Sequence, residues 1–496
     1  MDMDTLSALL NLLGDDDKKV FRSFLQRRNK RDDARNIVLF DLLNTDDISG
    51  VEKLYKKAKN RDSYHALRKR LQDNLLLFLS HKTFEKSNSQ SSEAMRLIIV
   101  SRFLLENNLD KTAFKSLAKA ELLAVKLEEY NLLNDILLLK IQYAHSAYAE
   151  NLELLTDRLL INQQQMQREA KLNLAYAFLR QELRDVNLKG KVVNLSTLMV
   201  TTIRKYQIAV SDLMNYKSIY QILFIANEYA AIYQDYRFIE RYIKRIHHFL
   251  KNQTKTNEQQ LFYHLYVLYF LANFHFRNKD FAPSREYLVE MKLHMDTNSV
   301  YITPFYPRQQ LLFALNLYFT GNSGDATSIL QQILLGSTQK YKQEDIEDIR
   351  ICLTMFLSLQ HDHNCLRQLA MFQHTDLWYE KKMGMLWTIR KNLMEILIHA
   401  QFEHLDLAVS RLNSFKRRYS AYLASTHEER VLQFVNFVEK YLIKPDVVFH
   451  PAFQQDVQHL LKANQDIFHL CFLSWLMATW KKKSAYQIVL EHLASS

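Results

Sequence analysis

The sequence predicts an all-α protein, and three observations carry that prediction. The chain of 496 residues has only 7 glycines and 5 prolines, whereas an average protein of this length has about 35 and about 25. Good helix formers such as Leu, Lys, Gln, Glu and Ala dominate instead. Apolar residues recur at steps of three and four, as in Leu117, Ala120, Leu123, Ala124 and Leu127. That spacing places them on one helix face.

The first predicted element is a unit of short helices over residues 1–84. The three aspartates at 15–17 precede an apolar-periodic segment, and carboxylates favour a helix start because they cap its free amides and match its dipole. Further helices are predicted over about residues 34–43, 48–58 and 61–84.

A polar segment at residues 85–92 is predicted to be a linker. Beyond it, residues 93–443 are predicted to form antiparallel helix pairs, and residues 444–496 a C-terminal helical cap. Between Pro445 and Pro451, the short β-like run 447–449 is expected to be extended.

The helix pairs share a repeated feature at the start of the second helix. A small or medium residue stands there and apolar residues follow four and seven later. The positions that carry this feature are Ala113, Ile239, Ser284, Ala326 and Ala408. Their spacings are close to multiples of about 42 residues, in the range of helical solenoid repeats.

These pairs resemble tetratricopeptide repeats, whose first helix carries a leucine followed by a small residue, as in Leu271-Ala272. The period is longer than the repeat of that family, which is about 34 residues. Larger side chains such as Met291 and Phe415 fill some small positions. The resemblance implies a right-handed α-solenoid, a TPR-like superhelix, that follows the small N-terminal unit. It also implies a concave groove lined by the first helix of each pair.

The groove side of those first helices is predicted to bind a protein or peptide. Family geometry places there Arg102, Glu228, Tyr269, Asn273, Arg277, Arg308 and Arg390. Guanidinium groups suit an acidic ligand because their planar fork donates paired hydrogen bonds to carboxylates. The competing interpretation is that these are ordinary solvated positions. The aromatic run 262–270 is expected to be core, with an exposed recognition strip as the alternative.

The alternative function is a nucleic-acid-associated regulator. The chain carries a net charge of +11, which permits such a partner without requiring it. The candidate residues lie in the N-terminal unit and are Lys56, Lys57, Arg68, Lys69 and Arg70. In this hypothesis the repeat array is a sensor or a partner-binding arm.

No enzyme, cofactor or metal site is predicted. Seven scattered glycines exclude the phosphate loops of nucleotide-binding proteins. The cluster from His361 to Cys365 offers metal-ligand types, but it falls at an expected helix–helix turn. Three cysteines, no signal-peptide pattern and no apolar segment of spanning character favour a cytoplasmic protein without membrane insertion. Partner identity and oligomeric state stay open.

Overall fold

The protein divides into two compact units, residues 1–166 and residues 167–496. Its structure is a computed structural model. It describes residues 5–10, 13–28, 35–45, 50, 61–86, 90–189, 195–209, 215–233, 240–252, 258–298, 301–338, 340–426, 428–462 and 466–494. Within those ranges the chain forms helices, turns and bends but no strand, which confirms the all-α prediction.

In its described residues, the first unit begins with four helices that share one core. They are α1 (Thr5–Leu10), α2 (Asp15–Arg28), α3 (Arg35–Asn44) and α4 (Arg61–Lys86). Phe21, Phe40 and Leu75 are among the fully or almost fully buried residues of that core. Then follow α5 (Gln90–Glu106), α6 (Asp110–Lys126), α7 (Tyr130–Gln142) and α8 (Leu152–Lys189), within which the two units divide.

The described part of the predicted linker contains helix. Helix α4 runs to Lys86, and α5 begins at Gln90. Residues 87–89 lie outside the described residues, as does nearly all of the predicted helix 48–58.

The second unit continues as helices to its C-terminus. The helices are α9 (Leu195–Tyr206), α10 (Tyr216–Tyr233), α11 (Glu240–Asn252), α12 (Glu258–Arg277), α13 (Phe281–Thr297), α14 (Ile302–Phe319), α15 (Ser323–Leu335), α16 (Gln343–Leu359), α17 (Asn364–Leu369), α18 (Asp376–Lys382), α19 (Met385–Gln401), α20 (Leu405–Ser425), α21 (Glu429–Ile443), α22 (Pro451–Lys462), α23 (Ile467–Lys481) and α24 (Ala485–Ala494). Many consecutive helices pack against each other as pairs. Helices α10, α12, α14, α16 and α19 also pack in a row, each against the next.

The turns between paired helices repeat one backbone conformation. Residues Lys279, Gly321, His361 and Glu403 all have positive φ, and they recur at nearly equal intervals along the chain. After each of them, an amide donates to a carbonyl five residues earlier, as in Asp280 N to His275 O at 2.8 Å. This is the hydrogen bond of a Schellman cap. The interval between these turns matches the repeat period that the sequence predicts.

The small positions predicted at the helix crossings are buried. Ala113, Ser284, Ala326 and Ala408 have no exposed surface. Ser284 Oγ donates to the carbonyl of Ala272 at 2.8 Å, so it joins the two helices of its pair. The remaining anchor, at residue 239, lies outside the described residues.

The C-terminal helices return to the middle of the array. Helix α24 packs on α14, and Tyr486 Oη donates to the carbonyl of Tyr318 at 2.7 Å. Trp475 Nε1 donates to Gln401 Oε1 at 3.0 Å. One continuous core consequently extends from Ala272 to Val489.

One local prediction was wrong. Residues 447–449 belong to a 3-10 helix, Pro445–Phe449, and not to an extended linker, because Val448 turns into the core. Gly384 lies between two helices. Its φ of +93° separates α18 from α19, and this left-handed conformation favours glycine although an added Cβ would meet no atom within 4 Å.

The aromatic run on α12 packs in the core, as the sequence predicts. Leu265, Val267, Leu268 and Phe270 are buried, and no residue of 262–270 is exposed. Opposite sides of α12 contribute to separate buried clusters. No described helix is both long enough and apolar enough to cross a membrane.

Candidate binding cleft

Four of the predicted groove residues line one cavity of about 190 Å³. Its lining residues are Tyr269, Asn273, Arg277, Leu311, Leu312, Leu315, Asp348, Ile351, Cys352, Met355, Trp387, Arg390, Met394, Phe468 and Phe472. We call this cavity the inner pocket. Helices α12, α14, α16 and α19 supply one part of it, and α23 supplies the two phenylalanines. The row of first helices therefore brings Tyr269, Asn273, Arg277 and Arg390 together.

Arg277 already forms an ion pair with a carboxylate and a cation–π contact with an aromatic ring. Its Nη1 lies 3.0 Å from Asp466 Oδ1, and its Cζ lies 4.7 Å from the centre of the Phe468 ring. The Asp466 side chain is only 5% exposed and also accepts a bond from the amide of His469 at the start of α23. The C-terminal segment thus occupies one end of the predicted arginine row.

Arg308 lies beside this pocket in a second internal pair. Its Nε is 2.7 Å from Asp345 Oδ1, whose side chain is 5% exposed. Tyr269 stands close to Arg308, and burial raises the pKa of its phenol to about 12, so this hydroxyl stays neutral. Arg308 is therefore paired with Asp345 within the chain.

A wider cavity of about 1000 Å³ adjoins the same side chains. Its lining residues are Ala177, Arg180, Gln181, Leu183, Arg184, Phe224, Glu344, Asp348, Glu380, Lys381, Lys382, Met383, Gly384, Met385, Leu386, Trp387 and Arg390. We call this cavity the outer cleft. It shares Asp348, Trp387 and Arg390 with the inner pocket. The turn at Gly384 forms part of its wall, so the break between α18 and α19 shapes the cleft.

Basic side chains outnumber acidic ones in the outer cleft. Arg180, Arg184, Lys381 and Lys382 are exposed. Among the acidic residues there, Glu380 is already bound, because its Oε1 lies 2.7 Å from Arg418 Nε and accepts a bond from Tyr419 Oη. The cleft therefore presents an excess of positive charge.

Arg390 is the central basic group, because it lines both cavities. Its side chain is half-buried on α19. Its guanidinium makes no hydrogen bond or ion pair with the described residues, in contrast to the paired Arg277 and Arg308. A buried or half-buried charge favours an opposite charge as its partner.

Asp348 lines both cavities, and its carboxyl has a shifted pKa. Burial raises the pKa of this carboxyl to about 7, and Asp345 and Glu344 add to the increase. Two neighbours oppose it, Arg308 by its charge and Trp387 by donating from Nε1 to Asp348 Oδ1 at 2.8 Å. The charge of the cleft therefore changes near neutral pH.

This shift predicts a pH-dependent stability. The folded pKa of Asp348 lies above its ordinary value of 3.8, so its contribution is fully present below that value and is lost as the pH rises through about 7. We expect Asp348→Asn to raise the free energy of unfolding, relative to wild type, more at about pH 8 than at about pH 5. Urea unfolding at the two pH values measures the difference, and an equal effect at both would contradict the assignment.

Two predicted groove residues lie outside this arrangement. Arg102 is exposed on α5 in the first unit, where it lines a separate cavity of about 180 Å³ with Glu106 and Asp135. The side chain of Glu228 lies outside the described residues, although α10 includes its backbone.

Only part of the predicted nucleic-acid set can be placed. Lys56 and Lys57 lie outside the described residues. Lys69 and Arg70 are exposed on α4, whereas Arg68 is partly buried with its Cζ 5.8 Å from the centre of the Tyr64 ring. Packing on Tyr64 therefore occupies part of the Arg68 side chain.

The segment from His361 to Cys365 has a structural explanation. His361 is the positive-φ residue of a repeat turn, and Asp362 Oδ1 accepts from the amide of Asn364 at 2.8 Å. Cys365 is fully buried in the core. Polar turn residues and a packed thiol account for this sequence.

Sequence reasoning missed several lining residues, chiefly Asp348, Trp387 and Phe468. In the sequence, nothing distinguishes Asp348 and Trp387 from other positions on their helices. Only the packing of α16 against α19 brings the two side chains together. Phe468 comes from a segment far beyond Arg277 in the chain, and no local pattern predicts that contact. The one sequence feature that could have indicated them is that Asp348 and Trp387 both lie on first helices of the predicted pairs.

Comparison with known proteins identified no relative: no family model, no curated protein and no solved structure matches this chain.

Proposed function

We propose that this protein is a non-enzymatic scaffold or adaptor that binds an acidic peptide segment of a partner protein in the outer cleft. The observation that carries the proposal is the half-buried Arg390, which lines both cavities without a hydrogen bond or ion pair to the described residues. Glu428 already interacts with the charge of Arg390 at longer range, and a partner carboxylate would supply the missing hydrogen bonds. Lys381 and Lys382 on the rim would attract the same ligand.

The inner pocket suits a side chain more than a whole small molecule. Its volume is about 190 Å³, whereas pockets for small molecules commonly measure about 300–1,000 Å³. Phe468, Phe472 and Trp387 give it apolar walls beside Arg390. An aromatic or aliphatic anchor next to an acidic residue is therefore the peptide feature that we propose it recognises.

The pair between Arg277 and Asp466 supports this chemistry. Asp466 places a carboxylate on one arginine of the predicted groove, and Phe468 places an aromatic ring beside the same guanidinium. The C-terminal segment thus provides, within the chain, a contact of the type that we propose for a partner at Arg390.

We further propose that the helix row of the second unit belongs to a TPR-like, right-handed superhelix with the first helices on its concave side. The nearly regular intervals between the positive-φ turns at Lys279, Gly321, His361 and Glu403 support it. The packing of α10, α12, α14, α16 and α19 in sequence supports it as well. Each pair leaves an apolar face that its neighbours cover.

Peptide binding tests the proposed function. We expect a short fluorescent peptide rich in Asp and Phe to bind the full chain, and Arg390→Ala to weaken its affinity at least about tenfold. A hydrogen bond to a charged group is worth about 1.5–3 kcal/mol, which exceeds the roughly 1.4 kcal/mol of a tenfold change. Fluorescence anisotropy measures the dissociation constant.

The matched control is Arg285→Ala. Arg285 is also a half-buried helical arginine without a described hydrogen bond or ion pair, but it lines neither cavity. Its replacement should leave the affinity unchanged. Equal affinities of both variants for the peptide would refute the proposal.

A nucleic-acid partner is the competing outcome. Random duplex and single-stranded probes serve as additional ligands, because phosphate contacts give a steep dependence of affinity on salt. Tight, salt-sensitive binding that disappears when Lys69 and Arg70 are replaced, without any peptide binding, would favour the nucleic-acid-associated regulator.

A further inference from the structure

Two histidines and a glutamate meet between the helices of one repeat pair. His264 comes from α12, while Glu290 and His294 stand one turn apart on α13. One ligand atom from each residue lies within 4.8 Å of the other two. Glu290 Oε1 is 3.6 Å from His264 Nε2 and 4.0 Å from His294 Nε2.

These distances are close to those around a bound metal ion. A zinc ion with ligands at about 2.0–2.2 Å in tetrahedral geometry separates neighbouring ligand atoms by about 3.3 Å. The observed separations are somewhat longer, and both exceed the distance of a good hydrogen bond. A small inward movement of the Glu290 and His294 side chains would bring them onto one ion.

The environment of His264 provides a second, independent observation. Its side chain is only 8% exposed, and its Nε2 faces Glu290 Oε1 at 3.6 Å, beyond the distance of a good hydrogen bond. The ring packs against Tyr216 in a T-shaped arrangement, with ring centres 5.3 Å apart. At 3.6 Å from each other, the imidazole and the carboxylate are spaced more like two ligands of one ion than like hydrogen-bond partners.

We propose that His264, Glu290 and His294 bind a divalent transition-metal ion, with Zn²⁺ as the best match. Imidazole nitrogen and carboxylate oxygen are ligands that zinc accepts, and two histidines with one glutamate leave a fourth position for another ligand. Glu290 and His294 are partly exposed, with 49% and 33% of their side-chain surface accessible, so solvent reaches that position. The ion would fasten α12 to α13.

Metal binding by untagged full-length protein tests this site independently of peptide binding. After treatment with a chelator, titration with Zn²⁺ against a chromogenic competitor should give one high-affinity site per chain. Co²⁺ in place of Zn²⁺ should give visible absorption bands of a low-coordinate site. Glu290→Gln and His294→Ala should each weaken Zn²⁺ at least about tenfold.

The matched control is His459→Ala, because His459 is an exposed histidine of the same unit. It should bind Zn²⁺ like wild type. Helical content, measured by circular dichroism without metal, verifies that each variant folds, and the partly exposed positions of Glu290 and His294 favour that result. A wild-type chain that binds no stoichiometric ion, or equal affinities in all variants, would overturn the proposal.

Discussion

Ala272→Asp is expected to unfold the second unit. Ala272 has no exposed surface and lies at the crossing of α12 and α13, where its carbonyl accepts from Ser284 Oγ. An aspartate there would place a charge between packed helices without a compensating partner. We expect the free energy of unfolding to fall by more than about 4 kcal/mol, a loss typical of such burial. Urea unfolding followed by circular dichroism measures it.

Ala282→Asp is the matched control, because it makes the same change later in the chain at an exposed position. Ala282 lies in the first turn of α13, where a carboxylate is favourable to the helix dipole. Stability should stay close to wild type. If Ala272→Asp melts like wild type, the proposed register of the repeat pair is incorrect.

Arg277→Ala is expected to be the second large effect. It removes the guanidinium that compensates the buried Asp466 carboxylate, and breaking such a pair costs about 3–5 kcal/mol. The stacking on Phe468 is lost as well. We expect a clear decrease in the free energy of unfolding. We also expect Asp466→Asn to lower this free energy less in the Arg277→Ala variant than in the wild-type protein.

The corresponding double-mutant cycle separates the pair from the individual side chains. Lys483 and Glu491 form an exposed pair in the same unit and serve as control, because solvent screening makes their coupling much weaker. Additive effects of Arg277→Ala and Asp466→Asn would contradict the return of the C-terminal segment onto α12.

The sequence predicted the helices and their pairing well, because both depend on local patterns. Periodic apolar residues and small crossing residues such as Ser284 and Ala326 are visible in the chain. The turns were harder to predict, because three of the four lack glycine, the residue that most readily adopts positive φ. Lys279, His361 and Glu403 adopt positive φ in its place, since the Schellman hydrogen bonds hold that conformation without a glycine.

The candidate site was predictable only in its first-helix residues. Tyr269, Asn273 and Arg277 share one face of α12 at helical spacing, so family geometry could place them together. Whether an arginine is already paired depends on distant segments, as the contact of Arg277 with Asp466 shows. For the same reason, the sequence around His264 does not predict that Glu290 and His294 on α13 lie beside it.

The most direct test of the central claim is charge reversal at Arg390. The dissociation constant of the labelled Asp- and Phe-rich peptide is measured for wild type, Arg390→Glu and Arg285→Glu, each with its folding verified. If the cleft binds an acidic segment through Arg390, the first variant loses affinity by more than about tenfold. Arg285→Glu should then bind the peptide with the affinity of wild type. Equal affinities of the three proteins would contradict the claim.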